Sequence, residues 1–109
     1  MLTLISSQRY LNESIVLNKM KRDERWIHIS PAFIHEDKLK AVVLDGHHNL
    51  EASKRLGEVP FIDVVDDEDG CEIELLYQNE IEWFLDWNKN EAEYYEIFSL
   101  DGSFEPVNV

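Results

Sequence analysis

Lys40-Ala41-Val42-Val43-Leu44-Asp45-Gly46-His47-His48-Asn49-Leu50-Glu51-Ala52-Ser53-Lys54-Arg55-Leu56-Gly57 is the stretch on which the fold turns. Lys40 to Leu44 is an apolar, β-branched run suited to a buried strand. Asp45-Gly46 breaks that run. His47 to Leu56 then reads as a short helix, with Leu50 and Leu56 expected inward and Gly57 as its C-terminal stop. Pro60-Phe61-Ile62-Asp63-Val64-Val65 reads as the next strand. Strand, turn, helix and strand so closely spaced predict a compact crossover between adjacent or near-adjacent strands of one sheet.

Upstream, Leu2 to Ile5 reads as a short strand. Tyr10 to Met20 has apolar residues at Leu11, Ile15 and Val16, a weak helical spacing. Trp26-Ile27-His28-Ile29 is another strand. Ser30-Pro31 reads as an N-cap with proline at the first helical position, which predicts a helical turn through Phe33 and Ile34. Downstream, Asp66-Asp67-Glu68-Asp69-Gly70 reads as a turn. Glu72 to Tyr77 is a strand or a helix entry. Asn79 to Trp87 is helical, with Ile81, Phe84 and Leu85 on one face. Tyr94 to Leu100 and Ser103 to Val109 flank Asp101-Gly102, a strong hairpin signal, and Pro106 suits an edge strand. The expected architecture is α+β, one domain over residues 1–109 with a mixed sheet. Its core is the strand-turn-helix-strand unit within 27–65. An acidic, aromatic-rich extension over 66–109 would end in a C-terminal β-hairpin.

Composition narrows the function classes. The 109 residues are 44% hydrophobic, with three Trp, four Tyr and five Phe, enough for one core. No apolar run approaches the ~18 residues of a membrane span. Met1-Leu2-Thr3-Leu4-Ile5 lacks the features of a secretory signal, and Cys71 is the only cysteine. These points lead to the expectation of a cytoplasmic protein without a disulfide and with no membrane partner. The net charge of −13 is one-sided. Residues 1–57 hold nine Lys/Arg against seven Asp/Glu, whereas residues 58–109 hold Lys89 against sixteen Asp/Glu. Such a half repels phosphate backbones, so direct nucleic-acid binding is not expected. It attracts a basic protein and speeds its encounter. Nine of the twelve aromatics lie in that same half. Trp83, Phe84 and Trp87 cannot all face one way, since neighbours on a helix point ~100° apart. The expected partner-binding residues are therefore Glu80, Glu82, Trp83, Asp86 and Trp87.

The Asp45-Gly46-His47-His48 turn has its own chemistry. A glycine lets the chain turn sharply and lets a ligand approach the backbone. The N–H groups at the helix start favour an anion, so Gly46, His47, His48 and Asn49 form a candidate anion-binding set. Asp45 is the candidate either to hold a magnesium ion or to orient a histidine. The plainer reading is a capped helix start with partly buried histidines. Calcium does not fit residues 66–70: with Gly70 in sixth place the first ligand position would be Val65.

The run from Val42 to Gly57, followed by Val59-Pro60-Phe61-Ile62-Asp63-Val64, resembles the signature of the ParB/sulfiredoxin-like superfamily. There a strand leads into a DGHHR-type turn, a helix, a glycine and a further strand. The resemblance covers about residues 27–65, and it implies phosphate-bearing ligands. In an ADP-dependent serine kinase group, the matches to Asp45, His47 and His48 would lie at the metal–phosphate site. The family arginine falls at Asn49, and asparagine cannot supply its charged fork. The catalytic cysteine of sulfiredoxin falls at His47. Two expectations follow, leaning away from an enzyme. One is an acidic binding module that neutralises a basic partner such as a nuclease toxin, as an immunity protein or antitoxin does. The other is a magnesium- and nucleotide-dependent phosphotransferase or nucleotide hydrolase acting through Asp45, His47 and His48.

Overall fold

A computed structural model describes residues 1–6, 12–65, 73–89, 95–100 and 104–107. The elements run β1 (Leu2–Ser6), α1 (Glu13–Arg22), β2 (Trp26–Ile29), β3 (Phe33–His35), β4 (Lys38–Asp45), α2 (His47–Leu56), β5 (Phe61–Val64), α3 (Ile73–Tyr77), α4 (Ile81–Lys89) and β6 (Tyr95–Leu100). The class is α+β with a mixed sheet. Five strands follow the order β5-β2-β4-β1-β6, and β3 pairs with β4 off that path. The β1–β4 and β2–β5 pairs are parallel, while β1–β6, β2–β4 and β3–β4 are antiparallel.

The central strand earns its place from composition. Ala41, Val42 and Val43 are all buried, as a strand covered on both faces requires. Alternate residues face opposite sides. Ala41 and Val43 join Leu2, Leu4, Ile27, Ile29 and Leu50 in one cluster, under α2. Val42 joins Phe33, Leu76, Ile81, Phe84 and Leu85 in the other, under α3 and α4. Phe33 and Phe84 meet edge to face at 5.8 Å. Each such fully buried side chain contributes about 1.5–3 kcal/mol. Ile81, Phe84 and Leu85 thus line the inner face of α4 as their spacing predicts.

Both long helices carry readable ends. In α1, Asn12 Oδ1 accepts from the Ile15 N–H at 3.2 Å, and Asp23 closes the helix at φ +59°. The buried guanidinium of Arg25 finishes that end, donating to the carbonyls of Lys19 and Glu24 and to Glu58 Oε2. In α2, Gly57 sits at φ +67° and its N–H donates to the Lys54 carbonyl. Val16 is buried, but Ile15 and Leu56 are exposed, each at 41%. α1 turns Val16 inward, so its neighbour Ile15, ~100° away, faces outward, and Leu56 lies in the last turn of α2.

Other expectations change in whole or in part. Residues 33–35 are strand, not a helical turn. Ser30 is a strand breaker: its N–H donates to the Val42 carbonyl at 2.9 Å, and its hydroxyl accepts from the Val42 N–H at 3.0 Å. The proline therefore separates β2 from β3, which lie end to end along the same edge of β4. A two-residue turn, Glu36-Asp37 at φ +53° and +63°, joins β3 to β4. The unit from β4 through α2 to β5 does join near-adjacent strands of one sheet, as expected, but it does not join them in parallel. β2 intervenes, and β5, parallel to β2, runs antiparallel to β4. The C-terminal hairpin also does not form among the described residues. β6 pairs instead with β1, whose Leu2 and Leu4 offer a buried, apolar partner. Residues 104–107 are not strand, and the Val107 N–H donates to the Ala32 carbonyl at 3.0 Å. Pro106, lacking an N–H, cannot take part in a ladder on both sides. The expected turns at 66–70 and 101–102, and Cys71, lie outside the described residues. No helix among those described is long and apolar enough to cross a membrane.

Candidate functional site

The turn between β4 and α2 is fixed by close contact as much as by conformation. Gly46 has φ +88°. A Cβ there would lie 2.7 Å from the Trp26 carbonyl oxygen and 2.9 Å from Ile27 Cα. Glycine is required on both counts. β2 therefore presses against the turn and brings Trp26 and His28 to a helix start that is distant in sequence. An open cleft of about 430 Å³ results, lined by Lys19, Trp26, His28, Asp45, Gly46, His47, His48 and Asn49.

Asp45 ends its strand and His47 opens the helix, as expected. Their side chains, however, are already engaged within the fold. Asp45 Oδ1 accepts from the Gly46 N–H at 2.8 Å, and α2 has no side-chain cap. His47 Nδ1 lies 2.6 Å from Ser6 Oγ on β1. Burial lowers the His47 pKa below 6.5, opposed by Asp45 and helped by His48, which disfavours the protonated imidazole. His48 Nε2 accepts from the Asn12 N–H at 3.2 Å, which ties the starts of α1 and α2 together. Asn49 Nδ2 donates to the Trp26 carbonyl at 2.7 Å, while its Oδ1 is buried without a partner. Lys19 pairs with Glu24 at the rim. His28 is flanked in register by Asp45 and Asp63, and its Nδ1 lies 2.8 Å from Asp63 Oδ2.

Among the described residues, the cleft thus offers a helix start without a side-chain cap, and Lys19 as its lysine. Asp45 stands beside that start, and Glu24 and Asp63 reach the rim through Lys19 and His28. Among the described residues, no three His, Cys, Asp or Glu side chains gather into a metal-holding group.

A second surface lies on the far side of the sheet. Trp83 and Trp87 are 69% and 66% exposed, one turn apart on α4. Glu80, Glu82 and Asp86 are exposed as well. At ~100° per residue, the outer arc of the helix runs Glu82, Asp86, Trp83, Trp87, with Glu80 following at the helix entry. Carboxylates therefore border the indole pair on both sides. Glu82 Oε1 is also 2.8 Å from His35 Nε2, which pins the β3–β4 hairpin to α4. The second aromatic pair, Trp26 and Phe61, is exposed at the β2–β5 edge with ring centroids 5.4 Å apart.

Sequence reasoning located the turn and the α4 face but missed Ser6, Asn12, Lys19, Trp26 and His28 as neighbours of the turn. Strand order and register bring them there, and no local pattern encodes either. Comparison of the chain with protein-family models, with curated proteins and with solved structures finds no match.

Proposed function

We propose that this chain is a binding module that captures a basic protein on the outer face of α4. The observation that carries this reading is the pair of solvent-exposed tryptophans, Trp83 and Trp87, set between carboxylates on a helix whose inner face is fully used by the core. Large exposed aromatics are the residues that anchor protein interfaces. The sixteen acidic residues beyond Gly57 supply a field that draws a cationic partner and repels nucleic acid. A basic nuclease toxin fits this chemistry, and the chain would then act as its immunity protein or antitoxin. The inward engagement of Asp45, His48 and Asn49 weighs in the same direction, because it leaves the turn poorly equipped for phosphate.

The test is capture of partners from the source cell with the unaltered chain and with Glu80→Gln/Asp86→Asn. Recovery of a basic protein that the neutralised chain no longer holds, and whose association slows as salt rises, supports the reading. Equal capture by both chains, or no basic protein at all, ends it.

A second reading attaches to the cleft, because its uncapped helix start, Lys19 and the Trp26 ring could receive a nucleotide with magnesium. Titration of ATP, ADP and CTP with magnesium, followed by NMR at His47 and His48, decides it. Unmoved signals at millimolar nucleotide remove the enzyme reading.

A further inference from the structure

We infer that the α4 face reads arginine in preference to lysine, accepting two guanidinium groups of the partner, one over each indole. This rests on the proposed docking of a basic protein and specifies what that protein presents. The indole is the strongest ring acceptor for a cation among the side chains. A guanidinium stacks flat on it and still projects forked N–H donors sideways, whereas an ammonium is a compact, strongly hydrated charge. By helical position the carboxylates flank the indole pair, within reach of such sideways donors: Asp86 beside Trp83 on one flank, and Glu80, just ahead of α4, on the other. Asp86 and Glu80 show no ion pair among the described residues.

The spacing adds a second constraint. Trp83 and Trp87 are separated by four residues of helix, a rise of about 6 Å. Alternate residues of an extended segment are about 6.6 Å apart and point the same way. Two arginines at alternate positions of a strand therefore match the indole pair.

Other occupants fit the charge less well. A second copy would set one carboxylate-bordered face against another at a net charge of −13 each. An anionic lipid surface would be repelled for the same reason.

The experiment uses the full chain and two short Gly/Ser peptides of equal charge, one with arginines and one with lysines at alternate positions, titrated at low salt. The arginine peptide is expected to bind about five- to tenfold more tightly. Trp83→Leu/Trp87→Leu, which keeps apolar bulk and removes the indoles, should abolish that difference and leave weak, charge-driven binding of both peptides. Equal binding of the two peptides to the unaltered chain, lost in Glu80→Gln/Asp86→Asn, overturns the arginine inference and leaves the docking reading intact. A preference that survives removal of both indoles also overturns it. Failure of both peptides to bind at low salt overturns the docking reading and this inference together.

Discussion

The side-chain amide of Asn49 donates to the main-chain carbonyl of Trp26 at 2.7 Å, across 23 residues of sequence. That bond holds the start of α2 against β2. Asp in place of Asn keeps the shape but has no N–H to give, and sets an oxygen against an oxygen. Asn49→Asp should lose about 1–3 kcal/mol in urea unfolding. An unchanged midpoint would mean that the contact contributes nothing.

Gly46 and Gly57 both have positive φ, yet they should not respond alike. Alanine at 46 would meet main-chain atoms at 2.7 and 2.9 Å, and alanine at 57 meets nothing within 4 Å. Gly57→Ala should cost about 1 kcal/mol, from conformation alone. Gly46→Ala should cost at least about twice that, since β2 would have to move away from the turn. Equal losses by thermal unfolding would show that β2 yields to the added methyl without cost.

Burial depresses the His47 pKa below its ordinary 6.5. The unfolded chain then binds the proton more readily than the folded one. The stability that neutral His47 contributes is complete above 6.5 and falls as pH drops from 6.5 toward the folded-state pKa. NMR titration should find the His47 midpoint below 6.5, and His47→Asn should flatten that part of the stability profile. A midpoint at or above 6.5 contradicts the buried placement beside Ser6.

Glu36 and Asp37 occupy left-handed conformations at φ +53° and +63° in the β3–β4 turn. Asn-Gly is the pair that prefers this turn. Glu36→Asn/Asp37→Gly should therefore raise stability by about 0.5–1 kcal/mol. A lower melting temperature would argue that the turn is held by its own side chains.

What the sequence made legible was local. The strand that ends at Asp45, the helix from His47 to Leu56 with its stop at Gly57, and the inner face of α4 all followed from composition, glycine placement and 3.6-residue spacing. What stayed hidden needed a partner distant in the chain. Ser30-Pro31 carries the same letters as a helix start, yet the Val42 N–H captures the serine hydroxyl. Asp101-Gly102 signals a local hairpin, yet the edge of β1 pairs with β6. At the candidate site, Asp45, His47 and His48 were evident as residue types. Their engagement with Gly46, Ser6 and Asn12 was not, because it depends on which strand lies beside which.

The strand order has a consequence for the nascent chain. β1 emerges first but is flanked by β4 on one side and β6 on the other. Between the end of β4 and the start of β6, a ribosome working at about 5–20 residues per second takes roughly three to ten seconds. Throughout that interval one side of β1 has no main-chain partner, and Leu2 and Leu4 sit on an open ladder. A stalled or truncated product would retain that unpaired margin permanently and offer it to any other unfinished copy. Codon tempo over residues 46–100 is therefore expected to govern the yield of native protein.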